Sequence, residues 1–156
     1  RQPGHWETDT VVSRQSPAAL AVLLDRKSRI IHLQKIKQKS SHLFSLAIEE
    51  RLKPYSSSLK RTITYDNGSE NVLHLKTNKK LGTKSYFCNP YHSWEKGAVE
   101  NAVGLVRRFL PKKTDFATVS PQRIKHIESL LNNRPRKCLD YKTPSEVFIS
   151  SVALAR

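Results

Sequence analysis

Residues 18–25, AALAVLLD, form an unbroken apolar run of strand length closed by an acid. A strand that is apolar on both faces cannot lie on a surface; it belongs in the middle of a sheet covered on both sides. Asp25-Arg26-Lys27-Ser28 has the composition of a turn, and RIIHLQKI (29–36) follows as the returning strand, with Ile31, Leu33 and Ile36 marking its apolar positions. HWETDTVVS (5–13) precedes the run as a further strand with Asp9 inside it. The three make an antiparallel meander, and the two-sided burial of its middle strand requires helices on both faces.

The rest of the chain supplies them. Ser40 or Ser41 caps a helix in which Leu43, Leu46, Ala47, Ile48 and Leu52 fall near helical spacing, and Pro54 helps end it. RTITYD (61–66) is a short β-branched strand, residues 71–80 read as a weak basic helix or loop ending at Gly82, and TKSYFC (83–88) is a fifth strand. A helix runs from about Trp94 to Leu110 and stops at Pro111. SPQRIKHIESLLNN (120–133) has Ser120 as cap, Pro121 at the first helical position and an Ile124, Ile127, Leu130, Leu131 stripe; TPSEVFISSV (143–152) is a last short helix capped by Thr143. Three antiparallel strands followed by strand–helix alternation predict a mixed sheet flanked by helices.

Charge narrows the partner. Among 156 residues, 28 Lys and Arg stand against 13 Asp and Glu, a formal net charge of +15. That excess suits a polyanion, nucleic acid before an anionic membrane surface. No apolar run approaches the roughly 20 residues of a membrane span. Cys88 and Cys138 lack the spacing of a metal or redox motif and read as idle thiols of a reducing compartment, and the six histidines show no zinc pattern.

With so few acids, most should be surface partners of Lys or Arg, and Asp25, Glu49, Glu50, Glu95, Asp115, Glu128 and Asp140 have basic neighbours in sequence. Three acids stand apart. Asp9 sits in a β-branched strand between Thr8 and Thr10, where an exposed edge-strand acid is the plain alternative. Asp66 ends a strand ahead of Asn67-Gly68; a tight hairpin is the plain alternative, yet Ser69-Glu70-Asn71 does not resume a strand. Glu100 lies mid-helix on one stripe with Lys96, Gly104 and Arg107, where a solvated Lys96–Glu100 pair is the plain alternative. Gly104 costs about 1 kcal/mol relative to Ala inside a helix, and its missing side chain would let a metal or a DNA backbone come close. Three carboxylates on separate elements are what a magnesium site for phosphoryl transfer needs, because hard oxygen donors suit Mg²⁺ and leave positions for water and phosphate.

HWETD, LLDRKSRIIHL, TYDNGSE, the long block YFCNPYHSWEKGAVENAVGLVRRFLPKKTDF and LNNRPRKCLDYKTPSEVF resemble, in order and over essentially the whole chain, the catalytic domain of DDE transposases of the insertion-sequence-thirty family, within the retroviral-integrase-like group. The resemblance implies a ribonuclease-H-like fold with a five-stranded mixed sheet, three strands antiparallel and then two parallel. It implies that residues 1–156 are a single catalytic core, with the family's N-terminal DNA-recognition domain absent from this chain. It puts the DDE triad on Asp9, Asp66 and Glu100, with 33 residues between the last two. The family commonly has Gly where Thr8 stands and Asn where Val99 stands, and Val99 is expected to cost a DNA contact.

The implied function is metal-dependent DNA strand cleavage and strand transfer with two Mg²⁺ ions, Mn²⁺ substituting, held by Asp9, Asp66 and Glu100. The implied partners are transposon-end and target DNA, with copies of the chain assembling on DNA in the bacterial cytoplasm at the nucleoid, and no membrane. Lys96, Arg107, Arg108, Lys112 and Lys113 surround the Glu100 helix and are the candidate phosphate contacts. Trp94 either stacks on a displaced base or belongs to the core. A non-catalytic DNA-binding relic and a ribonuclease-H-like nuclease without strand transfer are the competing readings.

Overall fold

The structure is a computed structural model that describes residues 2–89 and 92–154. The loop residues Pro90 and Tyr91, part of the quoted block, lie outside the described residues.

Five strands form one sheet. β1 (His5–Val12), β2 (Ala19–Asp25) and β3 (Ile31–Ile36) are the antiparallel meander. β4 (Thr62–Tyr65) and β5 (Lys84–Phe87) add in parallel beside β1, giving the order β3-β2-β1-β4-β5. The crossovers carry α1 (Ser41–Leu52) and α2 (His74–Leu81); α3 (Gly97–Phe109), α4 (Pro121–Asn132) and α5 (Pro144–Leu154) follow β5. Parallel neighbours require such crossovers, since a tight turn can join only antiparallel strands.

Every residue of β2 is buried. Ala19, Ala21 and Leu23 point to one core, with Phe44, Ala47, Ile48 and Leu52 of α1. Leu20, Val22 and Leu24 point to the other, with Val99, Ala102 and Val106 of α3 and Ile124, Ile127 and Leu131 of α4. The period of two along the strand therefore feeds two helical layers, which is why the run is apolar throughout.

The helix ends follow the caps. Ser40 Oγ accepts from Leu43 N at 3.2 Å, and Ser120 Oγ accepts from Arg123 N at 3.1 Å. Thr143 and Glu146 form a reciprocal capping box at 3.1 and 2.7 Å. The ambiguous basic stretch contains a real helix, α2. It ends at Gly82 with φ 69, a left-handed cap that glycine adopts without strain.

Of the acids expected on the surface, Asp25 and Glu49 are buried and Glu128 is half-buried. Asp25, fully buried, accepts from Gly4 N, Ser28 N and Ser28 Oγ at 2.7–2.8 Å and so builds the β2–β3 turn. Glu49 pairs with Lys80 at 2.7 Å across α1 and α2. Glu128 of α4 accepts from Leu33 N at 2.7 Å and pairs with Arg51. For Glu49 and Glu128, contacts between elements rather than sequence neighbours decided the partners.

Candidate active site

Strand alternation sets the geometry. On β1, Trp6 faces α1, whereas Glu7 and Val11 face α3. Asp9, between Glu7 and Val11 in the same alternation, faces α3 as well. Asp66 follows β4, whose Ile63 and Tyr65 face α1, so Asp66 falls on the α3 side too. The parallel register Trp6↔Ile63 and Glu7↔Thr64 brings the two segments side by side.

Between the two aspartates stands Lys96. Its ammonium lies 3.5 Å from Asp66 Oδ2 and 3.9 Å from Asp9 Oδ1, and the residue is only 5% exposed. Its position, the end of a short 3-10 turn (Ser93–Lys96), leads directly into α3. This burial corrects the solvated Lys96–Glu100 pair: in this arrangement the Lys96 ammonium faces the two aspartates.

Asp66 is held by its own loop. Asn71 Nδ2 donates to Asp66 Oδ1 at 2.6 Å and to its carbonyl at 3.0 Å, and Gly68 N donates to the same Oδ1 at 2.9 Å. A Cβ at residue 68 would lie 2.9 Å from that Oδ1 and press on the Glu70 carboxylate, so a larger residue here would have to shift the acids beside it. Gly68 has φ −69, and the chain turns into a 3-10 segment rather than a hairpin. Partial burial raises the Asp66 pKa, but the Lys96 ammonium, Gly68 N–H and the Asn71 amide outweigh it and hold the carboxyl below its ordinary value. Asp9 shifts the other way. Burial pushes it up, and Lys96 and the Thr10 N–H only partly offset this.

Glu100 is exposed, one turn beyond Lys96 on α3. The stripe it shares runs along β1: Lys96 meets Asp9 at one end, and Arg107 donates to Val12 O at 3.1 Å at the other. That bracket puts Glu100 on the same side of the sheet as the two aspartates. Among the described residues no three His, Cys, Asp or Glu side chains are close enough together to hold a metal ion, so the full triad is not gathered in this arrangement.

The remaining candidates divide. Arg107 donates to the Val12, Leu110 and Pro111 carbonyls and covers the Phe116 ring at 5.4 Å, so it clasps α3 to β1. Arg108, Lys112 and Lys113 are exposed. Trp94 is 70% exposed and stacks on His92 at 4.5 Å, which removes the core reading. Val99 is fully buried against β1 and β2, so position 99 is a core position and not a DNA contact.

One residue escaped the sequence reading. Glu7, 1% exposed, accepts from Val99 N at 2.9 Å and faces Arg26 Nε at 3.0 Å. It satisfies a free first-turn N–H of α3 and ties the start of that helix to the strand bearing Asp9. Its signal was the i, i+2 spacing from Asp9 within one strand.

The donor set fits a hard divalent ion. Asp9 of β1 and Asp66, just after β4, already flank a cation, the Lys96 ammonium, and a third carboxylate, Glu100, lies one turn along the adjoining helix; carboxylate oxygens are the donors a hard ion takes.

Residues 1–93 match the family model described as the integrase core domain. The chain belongs to that family. It is 38% identical over 99% of its length to the transposase InsI for insertion sequence element IS30A of Escherichia coli strain K12. It is 41% identical over 93% of its length to the transposase for insertion sequence element IS4351 of Bacteroides fragilis. It covers 40% and 44% of those two relatives. The catalytic core domain of BIV integrase shares the fold, with a TM-score of 0.73 at 19% identity and 97% of each chain covered. This integrase core thus has the five-stranded mixed sheet, and its sequence kinship is with insertion-sequence-thirty transposases.

Proposed function

We propose that this integrase core is the catalytic core of a DNA transposase, cutting a phosphodiester at a transposon end and joining the freed 3′-hydroxyl to target DNA. The observation that carries the reading is the cation shared by Asp9 and Asp66 at the head of the helix bearing Glu100. Asp9, Asp66 and Glu100 would hold Mg²⁺, with Mn²⁺ able to substitute, as a two-ion site. Such ions supply Lewis-acid polarisation of the phosphate and of the attacking hydroxyl, so no His base is required.

The chain's own residues do the positioning. Glu7 fixes the start of α3 against β1, so that the carboxylates from strand, loop and helix keep one spatial relation. Asn71 and Gly68 keep the Asp66 carboxylate from turning away. Exposed Arg108, Lys112 and Lys113 bind the DNA backbone without reading sequence, and exposed Trp94 offers a face to an unpaired base.

The DNA partners are the transposon end and the target, and copies of the chain assemble on them at the bacterial nucleoid. Among the described residues no helix is long and apolar enough to cross a membrane.

The test is strand joining on a pre-cut oligonucleotide with Mn²⁺, beside cleavage of an uncut end. Glu100→Gln should lose both activities together while binding DNA as well as the parent or slightly better, since it removes one negative charge facing a polyanion. Cleavage without joining in the parent chain would point to a nuclease. Full activity in the variant would remove Glu100 from the site.

A further inference from the structure

We infer that Lys96 is the resident counter-cation of the Asp9–Asp66 pair: it holds the two carboxylates together in the metal-free chain and is displaced when a divalent ion binds. The inference rests on reading that pair as the metal site.

A buried ammonium needs partners, and among the described residues the only acids in ion-pair range of Lys96 are these two aspartates. The contacts are long. Charge-assisted N–H···O bonds close to about 2.7–2.9 Å. Lys80–Glu49 reaches 2.7 Å and Arg26–Glu7 3.0 Å, whereas Lys96 stands at 3.5 and 3.9 Å. The ammonium is shared between two acceptors and locked to neither. That is the arrangement of a cation that can be exchanged.

Charge and access complete the case. A divalent ion and an ammonium cannot both occupy the space between two carboxylates without strong repulsion. The Asp66 side chain is 45% exposed, so the exit lies on the open side, where DNA would approach. The four-carbon stem of lysine lets the ammonium swing out while the backbone at the head of α3 stays in place. Once out, the same charge faces the incoming phosphates. Lys96 is thus a positioning residue for the acids before metal binds and a phosphate contact afterwards.

The experiment is calorimetric titration of Mn²⁺ into the DNA-free chain, its Lys96→Gln variant and its Asp66→Asn variant at fixed salt, with thermal melts alongside. Lys96→Gln should bind Mn²⁺ about tenfold tighter, the order by which a neighbouring opposite charge changes a carboxylate's affinity for a proton. It should melt lower than the parent without metal and recover with saturating Mn²⁺. Equal or weaker Mn²⁺ binding by Lys96→Gln, with binding lost in Asp66→Asn, overturns the inference and leaves the metal site standing. Parent-like binding by Asp66→Asn overturns the metal site itself. Should Lys96→Gln not fold, the ¹⁵N-labelled Lys96 ammonium of the parent chain decides: Mg²⁺ should move its signal from slow to fast exchange with water, and an unchanged signal refutes displacement.

Discussion

Two clusters of buried charge sit in this small domain, and they are built to different standards. At the β3 edge, Glu128 accepts from Leu33 N at 2.7 Å and pairs with Arg51, while His32 bonds Arg51 at 3.0 Å and the Tyr55 hydroxyl at 2.8 Å. His32 and Tyr55 also stack with Trp6, against which Phe148 of α5 packs edge-on. Apart from His32–Glu128 at 3.4 Å, its contacts are close, and the cluster joins α1, α4 and the sheet. At the β1–β4 end, Asp9, Asp66 and Lys96 meet at 3.5–3.9 Å, with the Asp66 side chain 45% exposed against 14% for Glu128. A short, closed network holds a fold together. A long, open one holds its place for something else.

Substitutions can break that contrast. The largest effect belongs to the open cluster. Asp66→Asn should lower strand joining by more than the roughly 10–100-fold that outer-shell partners of a metal typically cost, yet leave the melting temperature within a few degrees of the parent. A large loss of stability together with activity would make the two clusters alike.

Glu128→Ala should do the reverse. Removing one partner of a largely buried pair should cost about 3 kcal/mol, roughly 6–12 °C in melting temperature for a chain of this size. Mn²⁺ affinity, measured by titration of the folded variant, should not change. Glu7→Gln falls between the two. It should cost about 1–2 kcal/mol by weakening charged contacts to Val99 N and Arg26, and reduce joining about tenfold through a looser α3. A stability loss with joining intact would confine Glu7 to the fold.

The smallest effect is on pH dependence. Burial alone would raise the Glu128 pKa, but the His32 contact, Leu33 N–H and Arg51 outweigh it and hold the carboxyl below its ordinary value. Its contribution is therefore complete above the unfolded carboxyl pKa of about 4.3 and lost as pH falls through the lower folded value. Asp9, raised by burial, works with the opposite sign: its ionised form is a penalty that acid relieves. Melts of Glu128→Gln and Asp9→Asn across the acid range should deviate from the parent in opposite directions.

What the sequence disclosed follows the same division. The apolar run of β2, the Ser120 and Thr143 caps and the strand–helix order depend on local pattern, and each is present in the structure. α2 was ambiguous because its helical face is short and basic, and its firm end signal is a single glycine. Neither charge cluster could be read from neighbours in the chain. Glu128 meets Leu33 across 95 residues, and Glu7 meets Val99 across 92. Lys96 reaches Asp9 and Asp66 only because β1 and β4 pair in parallel. The candidate acids Asp9, Asp66 and Glu100 came from motif resemblance; the lysine between the two aspartates was a matter of three-dimensional assembly.

The most direct measurement is anomalous diffraction from crystals of the chain soaked in Mn²⁺. A manganese peak is expected within ligand distance of both Asp9 and Asp66, with the Lys96 ammonium moved out of the space between them. Manganese bound elsewhere, or bound there with Lys96 still between the aspartates, would contradict that expectation.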